Sequence, residues 1–262
     1  MKQLQDILVI DDEPTVTQAV AKICGAEGML VTTAGEAFEA LKKLEECKFR
    51  LILCDIMMPE LNGFQFLEEL AHRGIRTPVV MMTGYSTVEN AVRSLTATGA
   101  VDYIPKPFTA DELLTVIQRS LRCGKLLDEA ESASLPRSGA MSYVPCPVNY
   151  YRLGYVSWAL MEDKGTAKIG VTDLFLRAAE GINEFEFAQP GEDLLQGVPC
   201  AEAISPDGSK HIIMCPLSGR VLEVNAGAQS NPSLVERDPY FRGWLYRILP
   251  SNPASDLQWL SL

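Results

Sequence analysis

The sequence lacks long hydrophobic runs, a basic surplus and paired cysteine spacings, and it has almost no histidine; each shortage removes a class of function. No apolar stretch approaches the roughly 20 residues that span a bilayer. The opening Met1-Lys2-Gln3-Leu4-Gln5-Asp6 has no signal-peptide pattern, so a cytoplasmic protein without a membrane partner is expected. Seven cysteines are an odd number with no Cys-x-x-Cys, which argues against a disulfide frame or a zinc site. Cys24, Cys54 and Cys200 lie in apolar contexts and read as reduced core residues. The only two histidines, His72 and His211, supply no metal cluster and read as ordinary surface or strand residues. A net charge of −11 is the wrong sign for a nucleic-acid binder, because phosphate contacts need clustered Lys and Arg. The acidity is shared: residues 1–123 hold 12 of the 23 basic and 17 of the 34 acidic groups, leaving 11 and 17 for the rest. Neither half is a basic effector.

What is present describes two globular domains. At 262 residues, with 47% hydrophobic and 22% charged, the chain can bury two ordinary cores. From the N-terminus, strands near 6–10, 29–33, 50–54, 78–82 and 101–104 alternate with helical runs near 14–26, 36–46, 63–72, 86–97 and 109–122. That alternation predicts a parallel sheet with helices on both faces, joined by right-handed crossovers. Ser86-Thr87-Val88-Glu89 and Thr109 with Glu112 are capping boxes. Around Cys123 the periodicity fades. Gly124 to Pro147 is rich in polar and breaker residues and reads as a linker with a helical start, before a second domain from 148 to 262.

Four strand ends carry polar groups of complementary chemistry. Ile7-Leu8-Val9-Ile10 is followed by Asp11-Asp12-Glu13-Pro14, and Leu51-Ile52-Leu53-Cys54 by Asp55; Val79-Val80-Met81-Met82 leads to Thr83-Gly84, and Asp102-Tyr103-Ile104 to Pro105-Lys106-Pro107. Ligands of open α/β sheets bind outside the strand carboxyl ends, so the fold would collect all four in one crevice. Clustered carboxylates suit a hard divalent cation such as Mg²⁺. A hydroxyl and an ammonium suit phosphoryl oxygens, and Asp55 can be the nucleophile of aspartyl-phosphate chemistry. Taken singly, each has a plainer reading: Asp12 as a helix cap, Thr83 as a turn hydroxyl, Lys106 as a solvated loop charge.

Together, ILVIDDEP, LILCDIMMPELNGF, MMTGYS and DYIPKPF make residues 4 to 122 closely resemble the receiver domain of two-component response regulators. The resemblance implies a flavodoxin-like, doubly wound five-stranded parallel sheet in the order 2-1-3-4-5. It implies Asp55 as phosphoacceptor, Asp11, Asp12, Asp55 and the Met57 main-chain carbonyl as Mg²⁺ ligands, Thr83 as switch hydroxyl, Lys106 as phosphoryl partner and Tyr103 as switch aromatic. The implied donor is a sensor histidine kinase or phosphotransfer protein, and the chain is not expected to be an independent enzyme.

Beyond residue 150 short strands alternate with turns: Tyr155 to Met161, Ala167 to Val171, Glu184 to Phe187, Gly197 to Ala203, Lys210 to Cys215, Gly219 to Val224 and Trp244 to Leu249. Minor helices are expected at Thr172 to Ala179 and Pro253 to Leu260, in a mostly β sandwich or flattened barrel. The phrases GTAKIGVTD, PLSGRV, EVN and NPSLVERDPY with GWL make residues 152 to 260 resemble the glycine cleavage H protein, a lipoyl-carrier fold. That family acylates a hairpin-tip lysine in an E-S-V-K-A stretch, eight residues before the proline of P-x-S-G. Here the eighth residue before Pro216 is Gly208, inside the turn Ser205-Pro206-Asp207-Gly208-Ser209. Lys210 is the nearest lysine, two positions along the strand. The expected output is therefore contact with an unidentified downstream protein through a degenerate H-protein-like domain, with homodimerisation open. A receiver-regulated lipoyl or aminomethyl carrier using Lys210 is the alternative.

Overall fold

The computed structural model of the chain describes residues 3–84, 92–93, 95–96, 99–132 and 142–262, which fall into two compact units. In the first, β1 (Gln3–Ile10), β2 (Val31–Ala34), β3 (Cys47–Asp55), β4 (Val79–Thr83) and β5 (Ala100–Pro105) form one sheet in the order β2-β1-β3-β4-β5. All pairings are parallel. The flanking helices are α1 (Pro14–Ala26), α2 (Ala37–Glu46), α3 (Gly63–His72) and α4 (Ala110–Ser132), the last belonging to this unit as far as Gly124.

Because strand side chains alternate faces, the apolar runs supply two cores at once. Leu8, Ile10, Ile52, Cys54 and Met81 pack with Phe66 and Leu67 on one side. Ile7, Val9, Leu51, Leu53 and Val80 pack with Val20, Leu113 and Ile117 on the other. This is the doubly wound arrangement expected from the alternation. Most of the helix expected over 86–97, including its capping box at Ser86, lies outside the described residues.

The helical start expected of the linker is present and continuous with the helix expected over 109–122: α4 runs through Gly124 to Ser132. Lys125 to Glu131 are good helix formers, and Lys125 pairs with Glu129 one turn on. Gly124, which by composition marks a break, is buried within the helix. A Cβ there would come 2.7 Å from Pro78 Cγ, so the glycine answers a close approach and not a chain reversal. The capping box at the other end forms as expected, with Thr109 N–H donating to Glu112 at 2.7 Å.

The second unit is built from antiparallel strands: β6 (Tyr151–Leu153), β7 (Ser157–Met161), β8 (Ala167–Val171), β9 (Glu184–Phe187), β10 (Asp193–Leu194), β11 (Pro199–Ile204), β12 (Lys210–Met214), β13 (Gly219–Val224) and β14 (Tyr246–Pro250). They form a six-stranded sheet, β10-β13-β14-β8-β7-β6, and a three-stranded sheet, β12-β11-β9. The expected helices are present as Asp173–Ala179 and Pro253–Leu257; two five-residue helices, Ala226–Ser230 and Ser233–Arg237, were not anticipated.

An aromatic cluster of Tyr150, Trp158 and Tyr240 anchors this unit, with Cys146 packed against it. The segment before β6 is tied down by polar contacts as well. Tyr240 hydroxyl donates to Val144 O at 2.9 Å and accepts from Asp173 N–H at 3.1 Å, while Val144 N–H donates to Asp173 Oδ2 at 2.6 Å. Among the described residues no helix is long and apolar enough to cross a membrane.

Gly63, where α3 begins, is the position at which packing constrains the future site most tightly. A Cβ would stand 2.4 Å from Asp55 O and 2.9 Å from Met81 Cε. Gly63→Ala is expected to destabilise the first unit by about 1–3 kcal/mol through overpacking, read as a lowered urea midpoint with an unchanged slope.

Candidate functional site

Register brings the four strand ends level: Ile10 pairs with Cys54, Asp55 with Met82, and Thr83 with Pro105. Backbone hydrogen bonds continue the ladder past the strand ends and fix the residues just beyond them. Asp11 N–H donates to Ala34 O at 3.1 Å, Ile56 N–H to Met82 O at 2.9 Å, and Lys106 N–H to Thr83 O at 2.7 Å. The loop after Asp55 is closed by a capping box at α3, in which Asn62 and Gln65 exchange side-chain to backbone bonds of 3.0 Å. The Lys106-Pro107 peptide is cis.

These supports bring the expected residues together. Asp11, Asp12 and Asp55 each offer an oxygen, and the three atoms lie within 4.8 Å of one another. Asp11, Asp55 and Thr83 are buried and Asp12 is exposed. The Lys106 ammonium sits 2.8 Å from Asp55 Oδ1 and 2.5 Å from Asp11 Oδ2, with Glu13 at 4.0 Å. Asp11 Oδ2 is buried and has the ammonium as its ion-pair partner. Asp11 Oδ1 accepts Glu13 N–H at 3.0 Å, and Asp55 Oδ2 accepts Met57 N–H at 3.0 Å. An all-oxygen set of three clustered carboxylates fits a hard divalent cation.

Electrostatically the site carries more anion than its lysine balances. Burial raises the pKa of Asp55 above the usual carboxylate value; Lys106 and the Met57 N–H oppose this, and Asp11 adds to it. Burial works against the Lys106 charge, but the Asp11 and Asp55 carboxylates outweigh it, and its pKa lies above the ordinary lysine value.

Tyr103 is buried on β5, and burial raises its phenol pKa. Next to it is an ion pair that the sequence did not disclose: Arg119 on α4 donates to Asp102 Oδ2 at 2.9 and 2.7 Å, both residues being buried. Asp102 Oδ1 in turn accepts the Tyr103 N–H at 2.9 Å. Lys210 belongs to the second unit and takes no part in the acidic cluster. Of the histidines, His72 is exposed, whereas His211 is buried on β12 with Nε2 2.8 Å from Ser205 Oγ.

Residues 7–118 match the family model of the response regulator receiver domain, and residues 149–261 that of the glycine cleavage H-protein. The chain joins a receiver domain to an H-protein domain. Regulatory protein AtoC of Escherichia coli (strain K12) is 36% identical over 49% of this chain and 28% of its own length. Response regulator MprA of Mycobacterium avium (strain 104) is 34% identical over 49% of this chain and 56% of its own length. Among solved structures, the receiver domain of NtrX from Brucella abortus is 39% identical, covering 44% of this chain and 98% of that one at a TM-score of 0.42. The chain thus spans little more than half, or less, of the curated relatives it matches.

The raised Asp55 pKa fixes the sign of a pH dependence. A carboxyl whose folded pKa is raised favours folding at low pH and weakens it as pH rises through that pKa. Asp55→Asn is therefore expected to melt above wild type at neutral pH, and the difference should close as pH falls below the ordinary carboxylate range. Thermal melts across that range would test this; a variant less stable at neutral pH would contradict it.

Proposed function

We propose that the chain is a two-component response regulator that accepts a phosphoryl group on Asp55. The observation that carries this reading is the Lys106 ammonium lodged between Asp55 and Asp11, in a cluster of three carboxylates. The donor is a phosphohistidine of a sensor histidine kinase or phosphotransfer protein. An Asp55 oxygen attacks phosphorus, the P–N bond breaks, and the imidazole leaves and takes up a proton.

Asp11, Asp12, Asp55 and the Met57 carbonyl would hold Mg²⁺, which when bound supplies positive charge for the transferring group. Lys106, already within reach of Asp55, pairs with one phosphoryl oxygen, and the buried Thr83 hydroxyl hydrogen-bonds another. Moving Thr83 toward the phosphoryl group changes the packing open to Tyr103. The added charge at Asp55 is so converted into a changed surface around β5. The chain is not an independent enzyme in this reading, and the H-protein-like domain serves as the output, by contact with another protein.

Incubation with Mg²⁺ and a small phosphodonor is expected to add a single phosphoryl mass to the intact protein. The addition should be absent in Asp55→Asn, absent with chelator, and strongly reduced in Lys106→Ala. Addition to Asp55→Asn at the wild-type level would refute the assignment. In the same samples, the NMR signal of Tyr103 is expected to shift on phosphorylation in wild type only.

A further inference from the structure

We infer that the second unit does not carry the lipoyl group its family implies, and that Lys210 instead clamps two opposed glutamates on the three-stranded sheet. The attachment hairpin of the family corresponds here to the β11–β12 hairpin. Its tip is a closed turn: Ser205 N–H donates to Ser209 O at 3.0 Å, Gly208 N–H to Ser205 O at 2.9 Å, and Ser209 N–H to Asp207 Oδ1 at 3.0 Å. Counted eight residues back from Pro216, the family's lysine falls on Gly208 at φ +86°, a left-handed conformation that a lysine would adopt only under strain.

Lys210 lies beyond the turn, as the first residue of β12, opposite Ile204. Its ammonium is 2.9 Å from Glu202 Oε2 and 3.7 Å from Glu186 Oε2. Glu186 and Glu202 are direct cross-strand partners, so without a cation two like charges would face each other on adjacent strands. Lys210 is placed to relieve that repulsion.

Acylation is opposed on two counts. Lipoylation requires a neutral amine to attack the carbonyl of an acyl adenylate, forming the amide, expelling AMP and releasing a proton. Glu202 first, and Glu186 with it, raise the pKa of the Lys210 amine and so disfavour the neutral form. An amide at Nζ would also abolish the cation and leave the two carboxylates opposed. Lys164 lies in the Asp163-Lys164-Gly165 turn between β7 and β8. It belongs to a different hairpin from the family's attachment site.

The test keeps the full chain and does not depend on phosphorylation of Asp55. The protein is incubated with lipoate, ATP and a lipoate–protein ligase beside an authentic glycine cleavage H protein, then analysed by intact and peptide mass spectrometry. The expected result is a lipoyl addition to the control and none to this chain. An adduct on Lys210, on Lys164 or on any other lysine of the second unit would overturn the inference. Hydrogen exchange over residues 199–214 examines the clamp: Lys210→Met should exchange several-fold faster than wild type, and Lys210→Met with Glu202→Gln should recover most of the protection. Unchanged exchange in the single variant, or no recovery in the double, would overturn the clamp.

Discussion

Everything at the working end of the first unit depends on placing one lysine among carboxylates that the fold removes from water. Burying a charge is costly unless it is paired, and here pairing is partial: Lys106 is one cation in contact with two buried carboxylates, Asp55 and Asp11. A fully neutralised pocket would be more stable and would have less use for an added cation. The imbalance is supported by the parts around it. Ladder bonds past the strand ends, the Asn62 capping box and the close packing at Gly63 hold backbones that electrostatics alone would push apart.

The second unit handles charge differently. Its Lys210 cluster lies at the surface, where pairing mainly offsets local repulsion. Its buried polar groups, such as Tyr240 and Asp173, are satisfied by neighbouring backbone and, for Asp173, by the Arg177 guanidinium. Among its described residues the unit has no counterpart of the carboxylate cluster in the receiver.

Much of the receiver could be read from sequence because its signals are local. An apolar run of four residues with turn formers after it reports both a buried strand and the group that it presents, and four such phrases sufficed to assemble the pocket. What escaped was non-local. Asp102 and Arg119 are 17 positions apart and meet only because α4 packs on β5. The pair Asp11-Asp12 looks equivalent in sequence, yet only Asp11 is buried. Gly124 misled because a glycine required by the approach of Pro78 has the same letter as one required by a turn. In the second unit, β6 and β10, of three and two residues, are too short to show a period, whereas the missing tip lysine was legible because the surrounding phrases fixed its expected place.

The tether formed by Tyr240, Asp173 and Val144 bears on where the second unit can be cut. The family match begins at residue 149, but the polar partners of Tyr240 and Asp173 include the backbone of Val144, five positions earlier. A fragment trimmed to the family boundary would keep every strand and still lose acceptor and donor for two buried groups, together with the Cys146 side chain that covers the aromatic cluster. For excision, proteolysis or transplantation of this unit, its natural edge lies upstream of its first strand.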